Sequence, residues 1–322
     1  MTNSTHLEPI YERLIAASVL VPACSVGLVV YMLFNLTVIF TKEYRTNSYY
    51  ILAASLGVYD CTQLALILTY SVPSILADRL LGGKWANVAV GATLLLCWYG
   101  ALPIIGGLAL NRYFCVCRKE DYSEVFSVRR TLMIVMVSFL FGGFYFVLSF
   151  FPCCHFDFYP SYFSWGWDTS LTSAELISYG DVSLTLSAVT FATGCNLKVF
   201  LTYRRMHREI TANRTDEQNR AEAVQREREF KLFVQFFIIV LWMTIFDIVF
   251  VTTLFIPANK WLYLIVTWMW MIHCSINGYV YVGMNKQLRR RALQAVLRSK
   301  TTNVVTASTA QRVTKATNSL IK

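Results

Sequence analysis

The sequence predicts an all-α membrane protein, a bundle of seven transmembrane helices. It contains seven apolar stretches, each about 20 residues or longer, which is the length that crosses a bilayer. Its composition agrees, since 56% of the 322 residues are hydrophobic and 15% are charged, whereas about a quarter of a soluble domain is charged. The stretches are continuous, whereas the strands of a membrane barrel alternate over about 10 residues.

The seven spans follow one another with short connections. They are expected at residues 14–40, 49–76, 86–114, 131–152, 178–201, 233–256 and 261–283. The fifth span is the weakest of these because it carries Asp181, Asn196 and Lys198. The loop 202–232 alternates charges of opposite sign, which favours extension of the fifth and sixth helices beyond the membrane.

Basic residues indicate the orientation, because the cytosolic segments of membrane proteins carry an excess of Lys and Arg. With the N-terminus outside, 25 of the 29 Lys and Arg residues fall on the inner side and 4 on the outer side. We therefore expect the N-terminus outside and the C-terminus in the cytosol. The net charge of +10 then belongs mostly to a face that meets anionic membrane lipid, and no nucleic-acid partner is expected.

Four regions follow from this topology. Residues 1–13 form the extracellular N-terminus and residues 14–283 the seven-span domain. Residues 284–299 place apolar side chains on one helical face and arginines on the other, which predicts a short amphipathic helix along the inner leaflet. Residues 300–322 are polar and lack an apolar stripe, so a disordered cytosolic tail is expected.

Two glycosylation sequons and nine cysteines bear on the loops. A glycan is expected at Asn3, on the outer side, but not at Asn213, on the inner side. Cys153 and Cys154 lie in the outer loop after the fourth span, and the other cysteines are scattered. The spacing matches no metal motif, and neither a metal nor a cofactor is expected.

Polar side chains lie at particular depths in the spans, where they are costly in lipid. Asn35 in the first span and Asp60 in the second lie near the middle of the bilayer. The third span ends at its inner side with Asn111-Arg112-Tyr113. The seventh closes toward the cytosol with Asn-Gly-Tyr-Val-Tyr, residues 277–281.

The four motifs together resemble the rhodopsin-like G-protein-coupled receptors. They are similar, in order, to that family's first-helix Asn, second-helix Asp, Asp/Glu-Arg-Tyr motif and Asn-Pro-x-x-Tyr motif. Gly278 stands where proline is usual, and Asn111 stands where an acidic residue is usual. The first cysteine of the third span, Cys97, lies well inside the membrane, which argues against the family's usual bridge to the second outer loop. The sixth span lacks the family's central proline.

The second half of the chain is most similar to the nematode serpentine chemoreceptors of the Srx type. The resemblance includes a Trp-x-Trp-Asp element in the outer loop, with Trp165, Trp167 and Asp168. It continues in the seventh span, which reads TWMWMIHCSINGYVYVGMNKQLRR. The Srt type, which shares elements of the second span, is the less favoured assignment.

The resemblance implies a chemosensory receptor without enzymatic activity, in the plasma membrane of a neuron's sensory cilium. Such a receptor binds a small external ligand among its helices and activates a cytosolic heterotrimeric G protein. Residues expected in the activation switch and G-protein coupling are Asn111, Arg112, Tyr113, Asn277 and Tyr281. Residues expected in a polar core network are Asn35, Asp60 and His273. Residues expected around the ligand are Trp98, Asp181, Trp242, Asp247, Trp268 and Trp270.

Structural roles remain open for these residues. Arg112 could be an anchor that reaches the membrane interface, and His273 could be a buried core histidine. The tryptophans could serve in packing or in an interfacial belt.

Two other functions are weighed against the receptor. A transporter or ligand-gated channel could use the intramembrane charges Asp60, Asp181 and Asp247. A photoreceptor would need a lysine in the seventh span for a retinal Schiff base, and residues 261–283 contain none.

Overall fold

A computed structural model describes residues 9–167, 172–212, 218–253, 256, 259–284 and 289–290. Seven long helices make up most of this structure, as predicted. They are α1 (Ile10–Phe40), α2 (Ser48–Ala77), α3 (Gly83–Cys117), α4 (Val128–Leu148), α5 (Thr172–Ala212), α6 (Gln218–Thr253) and α7 (Lys260–Met284). Short helices, Lys42–Arg45 and Lys119–Val125, lie between α1 and α2 and between α3 and α4.

Hydropathy along the described helices agrees with membrane insertion. Five of them, α1 to α5, each contain a segment long and apolar enough to cross a bilayer. In α6 the described apolar segment, Phe237–Thr253, is shorter. The outward side of α4 is strongly apolar, with Leu140 63% exposed, as expected for a surface that faces lipid.

The observed helices extend past most of the predicted spans, but the fourth stops short of its predicted end. The fourth helix ends at Leu148 rather than at 152, because the chain turns into a short 3₁₀ turn, Pro152–Cys154, whose proline lacks a backbone N–H. The fifth and sixth helices reach into the loop 202–232, since α5 continues to Ala212 and α6 begins at Gln218.

A wider helical turn interrupts α2. Residues Ile67–Ser71 form a π-helical turn directly before Val72–Ala77. Pro73 explains its position, because proline cannot donate to the preceding turn and its ring clashes with the carbonyl four residues earlier. The wider turn accommodates the ring without ending the helix.

Helix α3 lies at the centre of the bundle, packed against α2, α4 and α5, while α7 packs against α1 and α6. Many side chains of α3 are therefore buried, and those of Tyr99 and Ile104 are fully enclosed. They meet Tyr31 and Phe34 of α1 and Leu52 of α2 in one apolar core.

The loop after α4 carries a β-hairpin that the sequence analysis did not predict. Strand β1 (Phe156–Tyr159) pairs antiparallel with β2 (Ser164–Trp167), with Phe156 opposite Trp167 and Phe158 opposite Trp165. The alternation of aromatic residues in Phe-Asp-Phe and Trp-Gly-Trp is the sequence signal for these strands. We call this end of the bundle the hairpin end and the opposite end the Arg112 end.

Several expectations lie outside the described residues. They are the glycosylation of Asn3, the sequon at Asn213, the tail 300–322 and most of the amphipathic helix 284–299, of which Arg289 and Arg290 are described and helical.

Candidate functional site

A cavity of about 1050 Å³ opens at the hairpin end, among α3, α5, α6, α7 and the hairpin. This volume is slightly larger than the usual range for small-molecule sites, about 300–1000 Å³. Four of the residues expected around a ligand line it, namely Trp98, Asp181, Asp247 and Trp270. The helices thus bring together residues that lie up to 172 positions apart in the sequence.

Two buried carboxyl groups face this cavity. Asp181 of α5 is 9% exposed and Asp247 of α6 is 4% exposed. Trp98, Tyr99 and Trp167 surround the Asp181 carboxyl. Even so, neither Oδ1 of Asp181 nor Oδ2 of Asp247 has a hydrogen-bond partner among the described residues. A polar group buried without a partner is costly, so these oxygens are available to a ligand.

Aromatic rings form the floor of the cavity. The Trp98 ring lies 6.0 Å from those of Trp270 and Phe246, and 5.9 Å from that of His273. His273 also stacks on Phe246 at 5.8 Å. His273 was expected in the polar network around Asp60, but the structure places it in this aromatic cluster.

Two expected pocket residues lie off the cavity. Trp268 points away from it and is 37% exposed. Successive helical positions differ by about 100°, so the face of α7 that carries Thr267 and Trp270 into the cavity turns Trp268 outward. Trp242 packs in the apolar cluster around Phe246.

Hydrogen bonds fasten the hairpin over the cavity. Asn87 of α3 donates to Oδ1 of Asp157 at 2.8 Å and accepts from the backbone N–H of Phe158 at 3.2 Å. Its oxygen also accepts from the hydroxyl of Tyr70 at 3.2 Å. Trp165 donates its indole N–H to Ser71 of α2 at 3.0 Å. The hairpin is therefore bound to both α2 and α3.

These contacts stand where a disulfide would be expected in a rhodopsin-like receptor. Cys97 is a free, buried thiol in the interior of α3, while Cys153 and Cys154 are joined to each other. Gly91 of α3 allows strand β1 to approach the helix closely, because a Cβ at this position would overlap the carbonyl oxygen of Phe156.

A polar contact crosses the middle of the bundle. Asn277 of α7 donates to Oδ2 of Asp60 at 3.3 Å, and both side chains are 2% exposed. Asn35 donates to Sγ of Cys61, the residue after Asp60, at 3.9 Å. Gly57 leaves room for Asn35, because a Cβ there would lie 2.5 Å from its Oδ1. The structure thus joins Asp60 directly to Asn277, whereas Asn35 contacts the neighbouring Cys61 and His273 lies in the aromatic cluster.

Arg112 is buried at the opposite end. Its guanidinium carbon lies 3.5 Å from the centroid of the Tyr49 ring, and the residue is 6% exposed. Tyr281 of α7 approaches both, with its ring 6.1 Å from that of Tyr49 and stacked on Phe34 at 4.7 Å. Among the described residues, Nε of Arg112 has no hydrogen-bond partner.

The two neighbours of Arg112 point elsewhere. Asn111 donates to the hydroxyl of Tyr122 at 3.2 Å, which ties α3 to the short helix Lys119–Val125. Tyr113 packs against the apolar cluster of Val116, Val199 and Tyr203. The three consecutive residues therefore contact three different parts of the bundle.

Three residues in these sites were missed by reasoning from the sequence. Tyr49 faces Arg112, Asn87 holds the hairpin, and Gln63 accepts from the indole N–H of Trp270 at 2.9 Å. The signal for Asn87 and Gln63 was a polar residue within an apolar span, which is costly unless it is bonded. Within the described part of the chain, no three His, Cys, Asp or Glu side chains gather as metal ligands.

Comparisons with known proteins agree with this architecture. The family model described as serpentine type 7TM GPCR chemoreceptor Srx matches residues 21–285. The crystal structure of squid rhodopsin is similar in fold, with a TM-score of 0.68 and 13% sequence identity over 91% of this chain and 88% of that one. No curated protein sequence matches. Because the family model spans most of the chain, this protein belongs to the Srx family of serpentine seven-transmembrane G-protein-coupled chemoreceptors.

Proposed function

We propose that this chemoreceptor binds a small external molecule in the cavity at the hairpin end and activates a heterotrimeric G protein at the Arg112 end. The observation that carries the proposal is the cavity itself, which is lined by the hairpin and by four helices. A ligand bound there contacts α3, α5, α6 and α7 at once. It favours whichever helix arrangement it binds more tightly, by no more than that difference in affinity.

A chain of contacts supports communication between the two ends. Trp270 in the cavity wall bonds to Gln63, which lies one helical turn from Asp60. Asp60 bonds to Asn277, and Asn277 lies one turn from Tyr281, beside Arg112. If these side chains have two alternative arrangements, ligand binding in the cavity can be coupled through them to the state of Arg112.

Arg112 is the proposed contact for the G protein. It is turned into the bundle toward Tyr49, so activation requires that it leave this position. Separation of the helices at the Arg112 end would expose it in a groove flanked by the basic inner loops. The excess of Lys and Arg on that side would attract an acidic partner segment.

The topology proposed for the receptor has the N-terminus outside, and the hairpin end therefore faces the exterior. We propose that the receptor resides in the plasma membrane of a sensory cilium, with Asn3 carrying a glycan. A transporter or ligand-gated channel that uses Asp60, Asp181 and Asp247 is not favoured by the family and fold. The three carboxyl groups also do not form one path, since Asp60 bonds to Asn277 and only the other two line the cavity.

The test expresses the wild type, Arg112→Ala and Arg118→Ala in cells supplied with a promiscuous G protein. A chemical library is then screened on these cells, and calcium imaging measures the response. Arg118 is a matched control, because its side chain is 63% exposed and pairs with Asp121 at 3.6 Å on the surface. We expect Arg112→Ala to reach the cell surface but lose the response, and Arg118→Ala to keep it. An undiminished response in Arg112→Ala would refute the assignment of Arg112.

A further inference from the structure

We infer that the ligand is an organic cation, a protonated amine that Asp181 and Asp247 hold from two helices. The inference rests on the proposed function and adds the chemical class of the ligand. Both residues line the cavity and are more than nine-tenths buried. Each has a carboxyl oxygen without a hydrogen-bond partner among the described residues.

The charge balance of the cavity favours a cation. Asp157, the third lining carboxylate, is already bonded to Asn87. The basic lining residues that the structure describes are Lys84 and His155, of which Lys84 is exposed and lies where α3 begins. Asp181 and Asp247 lie close enough to interact electrostatically. Two buried carboxyl groups that lack a cation between them are best compensated by a positively charged ligand.

The aromatic walls suit the rest of such a molecule. Trp98 and Trp270 form the floor, and Trp167 of the hairpin also lines the cavity. Ring faces attract organic cations and pack against their apolar parts. The ligand's ammonium would then lie between α5 and α6, with its hydrocarbon part over the Trp98 ring.

The first experiment measures binding without signalling. The purified full-length receptor is heated with phenethylamine or cadaverine, and with their uncharged counterparts phenethyl alcohol and pentanediol. We expect the amines to raise the melting temperature and the alcohols to leave it unchanged. Asp247→Asn should weaken amine affinity by roughly tenfold or more, the loss expected for a hydrogen bond to a charged group. Asp121→Asn, a surface residue 50% exposed at its side chain, should leave it unchanged.

A second measurement needs no ligand. Relief of an uncompensated buried carboxylate should raise the melting temperature of the empty receptor in Asp181→Asn and Asp247→Asn, as is common when a binding site is removed. A purely structural role for either residue predicts a fall instead, and Asp121→Asn should again match the wild type.

These results separate the ligand class from the proposed function. Stabilisation by amines without calcium signalling would support the cation site and refute G-protein coupling. Equal stabilisation by amines and alcohols, no stabilisation by either amine, or unchanged amine affinity in both Asn variants would overturn the cation site. Signalling by an uncharged molecule would then still support the receptor.

Discussion

The guanidinium of Arg112 lies over the ring of Tyr49, with its Cζ 3.5 Å from the ring centroid. The arginine lies near the end of α3 and the tyrosine near the start of α2, so this cation–π contact joins two helices at the Arg112 end. The residue before the arginine is Asn111, which bonds to Tyr122 instead. The arginine is therefore held by an aromatic face on another helix and not by the residue that precedes it.

Removal of the Tyr49 ring should raise signalling in the absence of ligand. A cation–π contact contributes about 0.5 to 2 kcal/mol, so Tyr49→Leu should increase basal activity roughly two- to thirtyfold. Tyr49→Phe is the matched control, because the hydroxyl of Tyr49 has no hydrogen-bond partner among the described residues. Basal calcium signal per receptor at the cell surface measures the effect. Equal basal activity in wild type, Leu and Phe variants would show that the contact does not restrain Arg112.

Gln63 should transmit ligand binding rather than contribute to it. Gln63→Leu removes the acceptor for the indole N–H of Trp270, which costs about 1 kcal/mol per lost hydrogen bond and breaks the contact path toward Asp60. We expect a lower maximal response with the stabilisation by ligand largely retained. The control is Thr69→Val, since the exposed Thr69 hydroxyl donates to the backbone carbonyl of Ala65 in its own helix. A full maximal response in Gln63→Leu would remove Gln63 from the path.

The depth of a residue could be predicted from sequence, but its direction could not. Depth follows from counting along an apolar stretch at 1.5 Å per residue. For that reason Asp60 was expected near the middle of the bundle, where it accepts a hydrogen bond from Asn277. Direction depends on how each helix is rotated against its neighbours, which packing decides. Trp268 and Trp270 were therefore both expected at the ligand, although only Trp270 lines the cavity.

Contacts between segments that are distant in the sequence could not be predicted either. Asn87 and Asp157 are 70 residues apart, and their meeting depends on the path of the loop after α4 and on the hairpin in it. The aromatic alternation in that loop could have indicated strands, but not where they dock. Tyr49 was likewise one of two adjacent tyrosines, without a feature that marks it as the partner of Arg112.

The hairpin should stay in place without a disulfide to α3. Asn87→Ala removes three hydrogen bonds, to Tyr70, Asp157 and Phe158, worth about 1 kcal/mol each. We expect faster chymotrypsin cleavage at the aromatic residues of the hairpin. Cys97→Ala should leave the wild-type cleavage rate unchanged, because Cys97 is a free thiol. Faster cleavage in Cys97→Ala, or an unchanged cleavage rate in Asn87→Ala, would contradict the assignment of Asn87 as the anchor.

The orientation of the bundle predicts which sequon is glycosylated. Glycans are added only on the side of the membrane that becomes the exterior, and the distribution of basic residues predicts Asn3 on that side and Asn213 in the cytosol. Asn3→Gln should therefore increase the electrophoretic mobility of the receptor as much as enzymatic deglycosylation does, and Asn213→Gln should have no effect. The reverse result would turn the cavity toward the cytosol, where no external molecule reaches it, and so remove the basis of a chemosensory role.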